Sequence, residues 1–273
     1  MAGTGEGGVL GRQAPPIPAY SPDILESIPR SDGRDNLPAQ QLLGMHGQDV
    51  WHAYEVSWLG ESGRPEARVG RLVIPADAPF VPESKSFKLY LNSLNGEQMG
   101  SDGELAARIV ADLERVIEMP VQFSLFPVDA AEIAGARLRG ECLDSLPVQN
   151  LAAAPSPDFL HTNGPSVIDQ SVHSHLFRSL CPVTGQPDWA TVRVTYSGQT
   201  IAPESLLRYL LSFREHQEFH EQCAERIYCD IATRCAPKIL TVEAFFARRG
   251  GLDINPVRSS ESDLPAPRRL IRQ

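Results

Sequence analysis

Apolar and polar positions alternate with period two in "ATVRVTYSG", where Val192, Val194 and Tyr196 stand against Thr191, Arg193 and Thr195, and this predicts a half-buried strand. "ARVGRLVIPA" (Ala67 to Ala76) and "SFKLYLNSL" (Ser86 to Leu94) also carry strand-type residues, broken by the loop "PADAPFVP". In "SDGELAARIVADLERVIEM" the period changes: Leu105, Ile109, Leu113 and Val116 fall at helical spacing, and Ser101 with Glu104 forms a capping-box signature. A strand-like "PVQFSLFPV" follows.

The second half repeats that order. After "ATVRVTYSG" comes a helical stretch from about Glu204 to Ala232, broken near Arg214 to Glu218, and then the strand "KILTVEAFF". The wording echoes as well, since "PESKSFKLYLNSL" from Pro82 resembles "PESLLRYLLSF" from Pro203 with two residues removed. Chance similarity is the competing account of so short an echo, and the order of elements supports duplication more than the wording does. Two tandem α+β units follow, each an antiparallel sheet with helices on one face.

Length and composition add bounds. A chain of 273 residues with 42% hydrophobic and 22% charged residues has ordinary globular composition and room for two domains. With 25 basic and 34 acidic residues the net charge is −9, so no global positive field favours a nucleic acid. The start "MAGTGEGGVLGRQ" lacks an apolar core, and no apolar run approaches the ~20 residues that span a bilayer, so a soluble, cytoplasmic protein is expected. Five cysteines without paired spacings fit a reducing compartment and free thiols. The Gly/Pro-rich first ~20 residues and the Ser/Pro/Arg stretch from about Arg258 read as mobile arms.

Among candidate chemistries, "GTGEGG" (Gly3 to Gly8) matches G-x-G-x-x-G formally, but no strand precedes it to feed a phosphate turn. His216 and His220 in "HQEFH" have metal-ligand spacing without H-E-x-x-H or an evident third ligand. Cys223 and Cys229 read as helix packing.

"SLCPVTGQPDW" is different. Pro182 biases Cys181 to an extended backbone, Gly185 permits a tight turn, and Pro187 stiffens the approach to Asp188. A nucleophilic thiol needs a lowered pKa or a proton acceptor, and an ionised Asp188 nearby would raise the thiol rather than lower it. The pair makes sense sharing one proton, which Asp188 holds as sulfur attacks and then gives to the electrophile. A buried loop thiol beside a turn-capping aspartate is the alternative. His220 and Glu221, about 100° apart on a helix, can address two parts of one ligand, a proton-transfer group and an acceptor of two parallel N–H bonds. A solvated helix face with one core histidine is equally open. Glu83, Lys85 and Lys88 form a charged cluster, and Arg248 and Arg249 before Gly250 and Gly251 suit phosphate, although an ordinary charged turn has the same composition.

Together, "ESKSFKLY", "SLCPVTGQPDW", "SFREHQEFHEQC" and "FFARRGGLDINP" resemble the NADPH-dependent 7-cyano-7-deazaguanine reductases of queuosine biosynthesis in their long two-domain form, from about Gly44 to Arg258. The resemblance implies two tandem tunnelling-fold domains, here residues 21–140 and 141–257, and leaves unexplained the arm over 1–20 and the tail over 258–273. It implies Cys181 as nucleophile on the nitrile carbon and Asp188 as proton donor to the nitrogen. It implies His220 for later proton transfer, and Pro82, Glu83, Ser84, His220 and Glu221 on the deazapurine. It further implies two dissociable NADPH per turnover, bound by Ser84, Lys85, Arg249 and Gly250 without a Rossmann fold, no metal, and a homodimer. A zinc-dependent pterin-type cyclohydrolase on the same fold and a non-catalytic purine-binding module are the alternatives.

Overall fold

The computed structural model describes residues 19–149 and 154–273. The Gly3 to Gly8 match lies outside them, as does the expected arm apart from Ala19 and Tyr20. Eight strands form one sheet: β1 His46–Leu59, β2 Pro65–Pro75, β3 Gln122–Phe126, β4 Glu141–Cys142, β5 Thr162–Leu180, β6 Pro187–Ile201, β7 Ile239–Phe246 and β8 Leu252–Ser259. Their spatial order is β3-β2-β1-β8-β7-β6-β5-β4, antiparallel except for the parallel pair β4–β5 at one edge. Four helices complete the two copies: α1 Ser84–Ser93, α2 Asp102–Ile117, α3 Pro203–Leu211 and α4 His220–Cys235. The chain is thus α+β, a tandem pair of strand-hairpin and helix-pair units in the tunnelling-fold manner. The two copies share a single sheet, joined where β8 pairs with β1 from Leu252↔Ala53 to Ser259↔His46.

The alternation read in β6 holds: Val192, Val194 and Tyr196 are buried in the core of the second copy with Leu206, Tyr209, Leu210, Ile227 and Ile231 of its helices. Trp51, Leu72, Ile74, Phe87, Tyr90, Leu105, Ile109 and Leu113 make the corresponding core of the first copy, to which β8 adds Leu252 and Ile254. The opposite sheet face carries polar groups, among them His52, Arg71, Arg193, Glu243 and Asp253. Half of the α2 capping box forms: Glu104 N–H donates to Ser101 Oγ at 3.2 Å, but the Glu104 carboxylate accepts from Gly100 N–H at 2.9 Å instead of from Ser101 N–H. Among the described residues no helix is long and apolar enough to cross a membrane.

Two expectations are corrected. The segment Ser86 to Leu94 is the helix α1, not a strand. Its buried face is Phe87, Tyr90, Leu91 and Leu94, at helical spacing, while Leu89, which gave the appearance of period two, is 41% exposed. The stretch from Arg258 is not a free tail. Arg258 is fully buried in β8, where its guanidinium meets Asp49 at 2.7 Å and Glu225 at 2.8 Å, and Arg30 and Arg34 close the network on the same carboxylates. Farther on, Leu270 is buried and Arg269–Leu270 pairs with Gly135–Ala136, so the last residues lie along the first copy.

Candidate active site

Segments of both copies surround one cavity of about 380 Å³. The first copy contributes Pro82 and the N-terminus of α1, with Glu83, Ser84, Lys85 and Lys88. From the second come the β5–β6 turn with Cys181 and Thr184, Asp188 at the start of β6, His220 and Glu221 at the N-terminus of α4, and Arg249 with Gly250 between β7 and β8. All ten site residues that the resemblance implies line this cavity, whereas Arg248 and Gly251, the other members of the arginine–glycine cluster, do not.

The turn is a closed frame. Cys181 N–H donates to Gln186 O at 2.9 Å, and Gly185 N–H donates back to Cys181 O at 2.9 Å, with Gly185 in the left-handed region at φ 66°. Burial raises the Cys181 thiol, and so does the charge of Asp188. The Thr184 hydroxyl and the backbone N–H groups of Thr184 and Val183 outweigh both, and the thiol lies below its ordinary value. The charge sign of Asp188 is the one read from sequence; the turn's donors are the missing term.

Asp188 is 3% exposed. One of its oxygens faces His220 Nε2 at 3.3 Å and the other is held by Arg249 Nη1. Burial pushes this carboxyl up, but His220 and Arg249 more than offset that and hold it below the usual carboxylate range. Asp188 therefore rests ionised, and the shared-proton pair expected with Cys181 is replaced by an aspartate shared with a guanidinium and an imidazole. Sequence spacing could not reveal that Arg249, 61 residues away, would reach it.

His220 stacks on Phe246 with ring centroids 3.8 Å apart. His216 turns away to Glu218 at 3.0 Å, so the two histidines of "HQEFH" do not face a common point. Glu221 is 5% exposed, and its Oε1 has no hydrogen-bond partner among the described residues. Burial and the charge of Asp49 push its carboxyl up despite His220 and Arg30. An unpartnered buried acceptor at a cavity wall is a binding determinant awaiting donors. Glu83 instead caps α1, accepting from Lys85 N–H at 3.0 Å and Ser86 N–H at 2.7 Å.

Lys85, Lys88 and Arg249 make one side of the cavity cationic, and Gly250, at φ 56°, leaves the space that Lys88 Nζ occupies where a Cβ would stand. Sequence reasoning missed Trp51, whose buried Nε1 also lacks a partner among the described residues, and Thr184 and Gln186. Thr184 was within reach of inspection as a hydroxyl three residues from the thiol; Trp51 arrives from β1 with no local signal. Cys223 and Cys229 are core residues, and all five cysteines are thiols.

Two family models match the chain: one described as the N-terminal part of the nitrile reductase 7-cyano-7-deazaguanine reductase, over residues 17–125, and one described as QueF-like protein, over residues 187–264. A protein of Hydrogenovibrio crunogenus named NADPH-dependent 7-cyano-7-deazaguanine reductase is 44% identical over 271 residues, covering 99% of this chain and 98% of its own. One of Xanthomonas campestris pathovar campestris with the same name is 44% identical over 272 residues, covering 98% of each chain. A solved archaeosine synthase, described as QueF-like and in its apo form, covers 38% of this chain at 21% identity with a TM-score of 0.32, too low to bear on the fold. Identity of that order along nearly the whole length of both relatives decides the matter: the chain belongs to the NADPH-dependent 7-cyano-7-deazaguanine reductase family.

Proposed function

We propose that this protein reduces the nitrile of 7-cyano-7-deazaguanine to a primary amine through a covalent thioimide on Cys181. The supporting observation is the convergence, in one cavity, of a thiol held below its ordinary value, an acid beside a histidine, and a buried carboxylate with a free acceptor oxygen. Glu221 accepts N–H groups of the guanine-like edge, and the other cavity-wall residues fix the ring so that the nitrile carbon meets Sγ. As the S–C bond forms, the nitrile nitrogen takes a proton from the Asp188–His220 pair. Asp188 is ionised at rest, so its role as donor requires that Arg249 release it and that ligand binding strip its water. Both changes raise its pKa.

Lys85, Lys88 and Arg249, with Ser84 and Gly250, form a cationic side suited to the phosphates of NADPH, which supplies one hydride to carbon at each of two visits. Between those visits the C–S bond breaks, returning sulfur as thiolate and leaving an imine. His220, stacked on Phe246 and next to Asp188, is placed to hand on the protons that complete the amine. The sum is one nitrile, two NADPH and two protons giving one aminomethyl group and two NADP⁺. A homodimer belongs to the same proposal, on the resemblance to the long two-domain form, and a monomeric sedimentation profile at assay concentration would overturn that part.

Mixing the protein with 7-cyano-7-deazaguanine and no NADPH should raise its intact mass by one substrate, and Cys181→Ala should abolish the adduct. Absence of the adduct in folded, NADPH-oxidising protein would sink the covalent route.

A further inference from the structure

Away from the cavity, the parallel edge pair β4–β5 places Cys142 in register with His173, and His175 lies two residues along the same strand. The Cys142 sulfur and one nitrogen from each imidazole all lie within 4.8 Å of one another. We infer that Cys142, His173 and His175 form a site for a borderline or soft divalent metal such as zinc, separate from the reductase centre.

His173 carries the inference furthest. It is 6% exposed, yet its Nδ1 is buried with no hydrogen-bond partner among the described residues, and it stands beside the other two ligands. A buried, unpartnered imidazole nitrogen is unusual unless something fills its lone pair or takes its proton. His175 is oriented from behind: its Nδ1 faces Thr191 Oγ1 at 2.9 Å, which leaves Nε2 to ligate. Its ring centroid is 5.0 Å from that of His173, at 70°, so the two present nitrogens from different directions. Asp144 fixes the approach of the Cys142 segment, accepting from Ser174 Oγ at 2.7 Å and from His175 N–H at 3.1 Å.

A tetrahedral zinc with one thiolate and two imidazoles sets its ligand atoms roughly 3.3–3.6 Å apart. Closing from within 4.8 Å takes rotation of the exposed Cys142 side chain and a small shift of His175, which Thr191 continues to orient. One sulfur and two nitrogens select zinc, cobalt or nickel over magnesium or calcium, which take oxygen. A thiol ligates as thiolate, so metal binding at Cys142 releases a proton. The fourth position stays open to water or an outside ligand. The site lies six residues before Cys181 on β5, about 20 Å along the strand, and it would clip the two-residue strand β4 to the rest of the sheet.

Titrating metal-free full-length protein with cobalt(II) should produce a thiolate-to-metal charge-transfer band at one equivalent per chain, displaced by zinc. The band should persist in Cys181→Ala, which removes the reductase thiol, and vanish in Cys142→Ser and in His175→Ala. These last two alter exposed side chains, and their folding is checked by circular dichroism. Zinc, but not magnesium, should raise the thermal midpoint of the wild type by a few degrees and leave Cys142→Ser unmoved. Nitrile adduct formation should be unchanged in Cys142→Ser. A band that is absent in the wild type, survives Cys142→Ser or disappears in Cys181→Ala would overturn the assignment.

Discussion

Two hairpin turns of this molecule are built on one plan, and only one of them, the proposed reactive turn, carries a thiol. In the first copy Gly60 N–H donates to Arg64 O at 2.9 Å and Gly63 N–H to Gly60 O at 2.8 Å, with Gly63 at φ 76°. In the second, Cys181, Gln186 and Gly185 repeat those bonds, with Gly185 at φ 66°. The residue before each turn is even tied to the same place: Leu59 N–H donates to Glu97 O and Leu180 N–H to His216 O, both at 2.8 Å. The reactive turn has Cys181 where the silent one has Gly60, and it has one residue more. That extra residue brings the N–H groups of Val183 and Thr184 and the Thr184 hydroxyl onto the sulfur. After the turn, Pro65 is followed by Glu66, which pairs with Arg64 and Arg68 near the surface, whereas Pro187 is followed by the buried Asp188. The frame is thus older in the logic of the fold than the chemistry laid on it.

The helix pairs repeat the lesson. Ser86, Tyr90 and Ser93 of α1 correspond without a gap to Ser205, Tyr209 and Ser212 in and just after α3. Ser86 and Ser205 each bond back to the carbonyl three residues earlier at 2.8 Å. The echo therefore runs Pro82-to-Leu94 against Ile201-to-Phe213, and the two-residue deletion assumed from "PES" is an artefact of matching the wrong prolines. The copies then diverge at their helix starts. Glu83 caps α1, while Pro203 starts α3 without a side-chain cap; Ser101 caps α2, while α4 opens with His220 and Glu221. Each copy spends one helix start on the cavity and uses the other structurally.

The sharpest way to break the comparison is to make the reactive turn resemble the silent one. Cys181→Gly should preserve the turn and the melting temperature, yet lower kcat/KM by about 10⁴-fold or more and remove the mass adduct. Residual turnover within tenfold of wild type would mean that the thiol is not the nucleophile. Next, Asp188→Asn should cost about 10²–10⁴-fold in kcat/KM and slow adduct formation, as loss of a general acid does. Glu66→Gln, at the matching place in the first copy, should leave activity unchanged and stability within about 0.5 kcal/mol. Equal losses in both variants would reduce Asp188 to a structural role.

Much of this site was legible because its residues cluster in short segments. A thiol, two prolines, a glycine and an aspartate within ten residues announce a rigid turn that holds a thiol, and His220–Glu221 marks a helix start that reaches the same cavity. What hid was non-local. Arg249 reaches Asp188 across the β7–β8 connection, and Trp51 enters from another copy. Helix α1 was misread because Phe87, Leu89 and Leu91 alternate, and only the tertiary structure shows that Leu89 faces out while Tyr90 and Leu94 face in. Arg258 looked like a tail residue because a lone arginine beside serines carries no sign of the buried carboxylates it will meet.

A smaller effect distinguishes the two cores. Tyr90 and Tyr209 each donate to an aspartate on the next helix, Asp112 and Asp230, at 2.6 Å. Asp112 has a second donor in Tyr20 at 2.7 Å, whereas among the described residues Asp230 accepts from Tyr209 alone. Tyr209→Phe therefore leaves a carboxyl, already raised by burial, without a partner, and should cost about 1–3 kcal/mol in chemical denaturation. Tyr90→Phe should cost about 1 kcal/mol, since Tyr20 remains. The reverse order would show that the copies bury these carboxyls differently from their matched geometry.

The smallest effect returns to the turn. The Thr184 hydroxyl donates to the Cys181 sulfur and so favours thiolate, but Thr184 is exposed and water competes for the same place. In Thr184→Val the thiol loses that donor and keeps the two backbone N–H groups, so its pKa rises. At neutral pH less of it is thiolate, and iodoacetamide alkylation should slow by about two- to fivefold, the upper end of which matches ~1 kcal/mol. Above the thiol pKa the two proteins should react alike, because both are then fully ionised. The midpoint of the pH–rate curve moves upward, and Thr184→Ser restores it. An unmoved or lowered midpoint would mean that the backbone alone sets the thiol, and that the extra residue in the reactive turn matters for its two N–H groups rather than for its side chain.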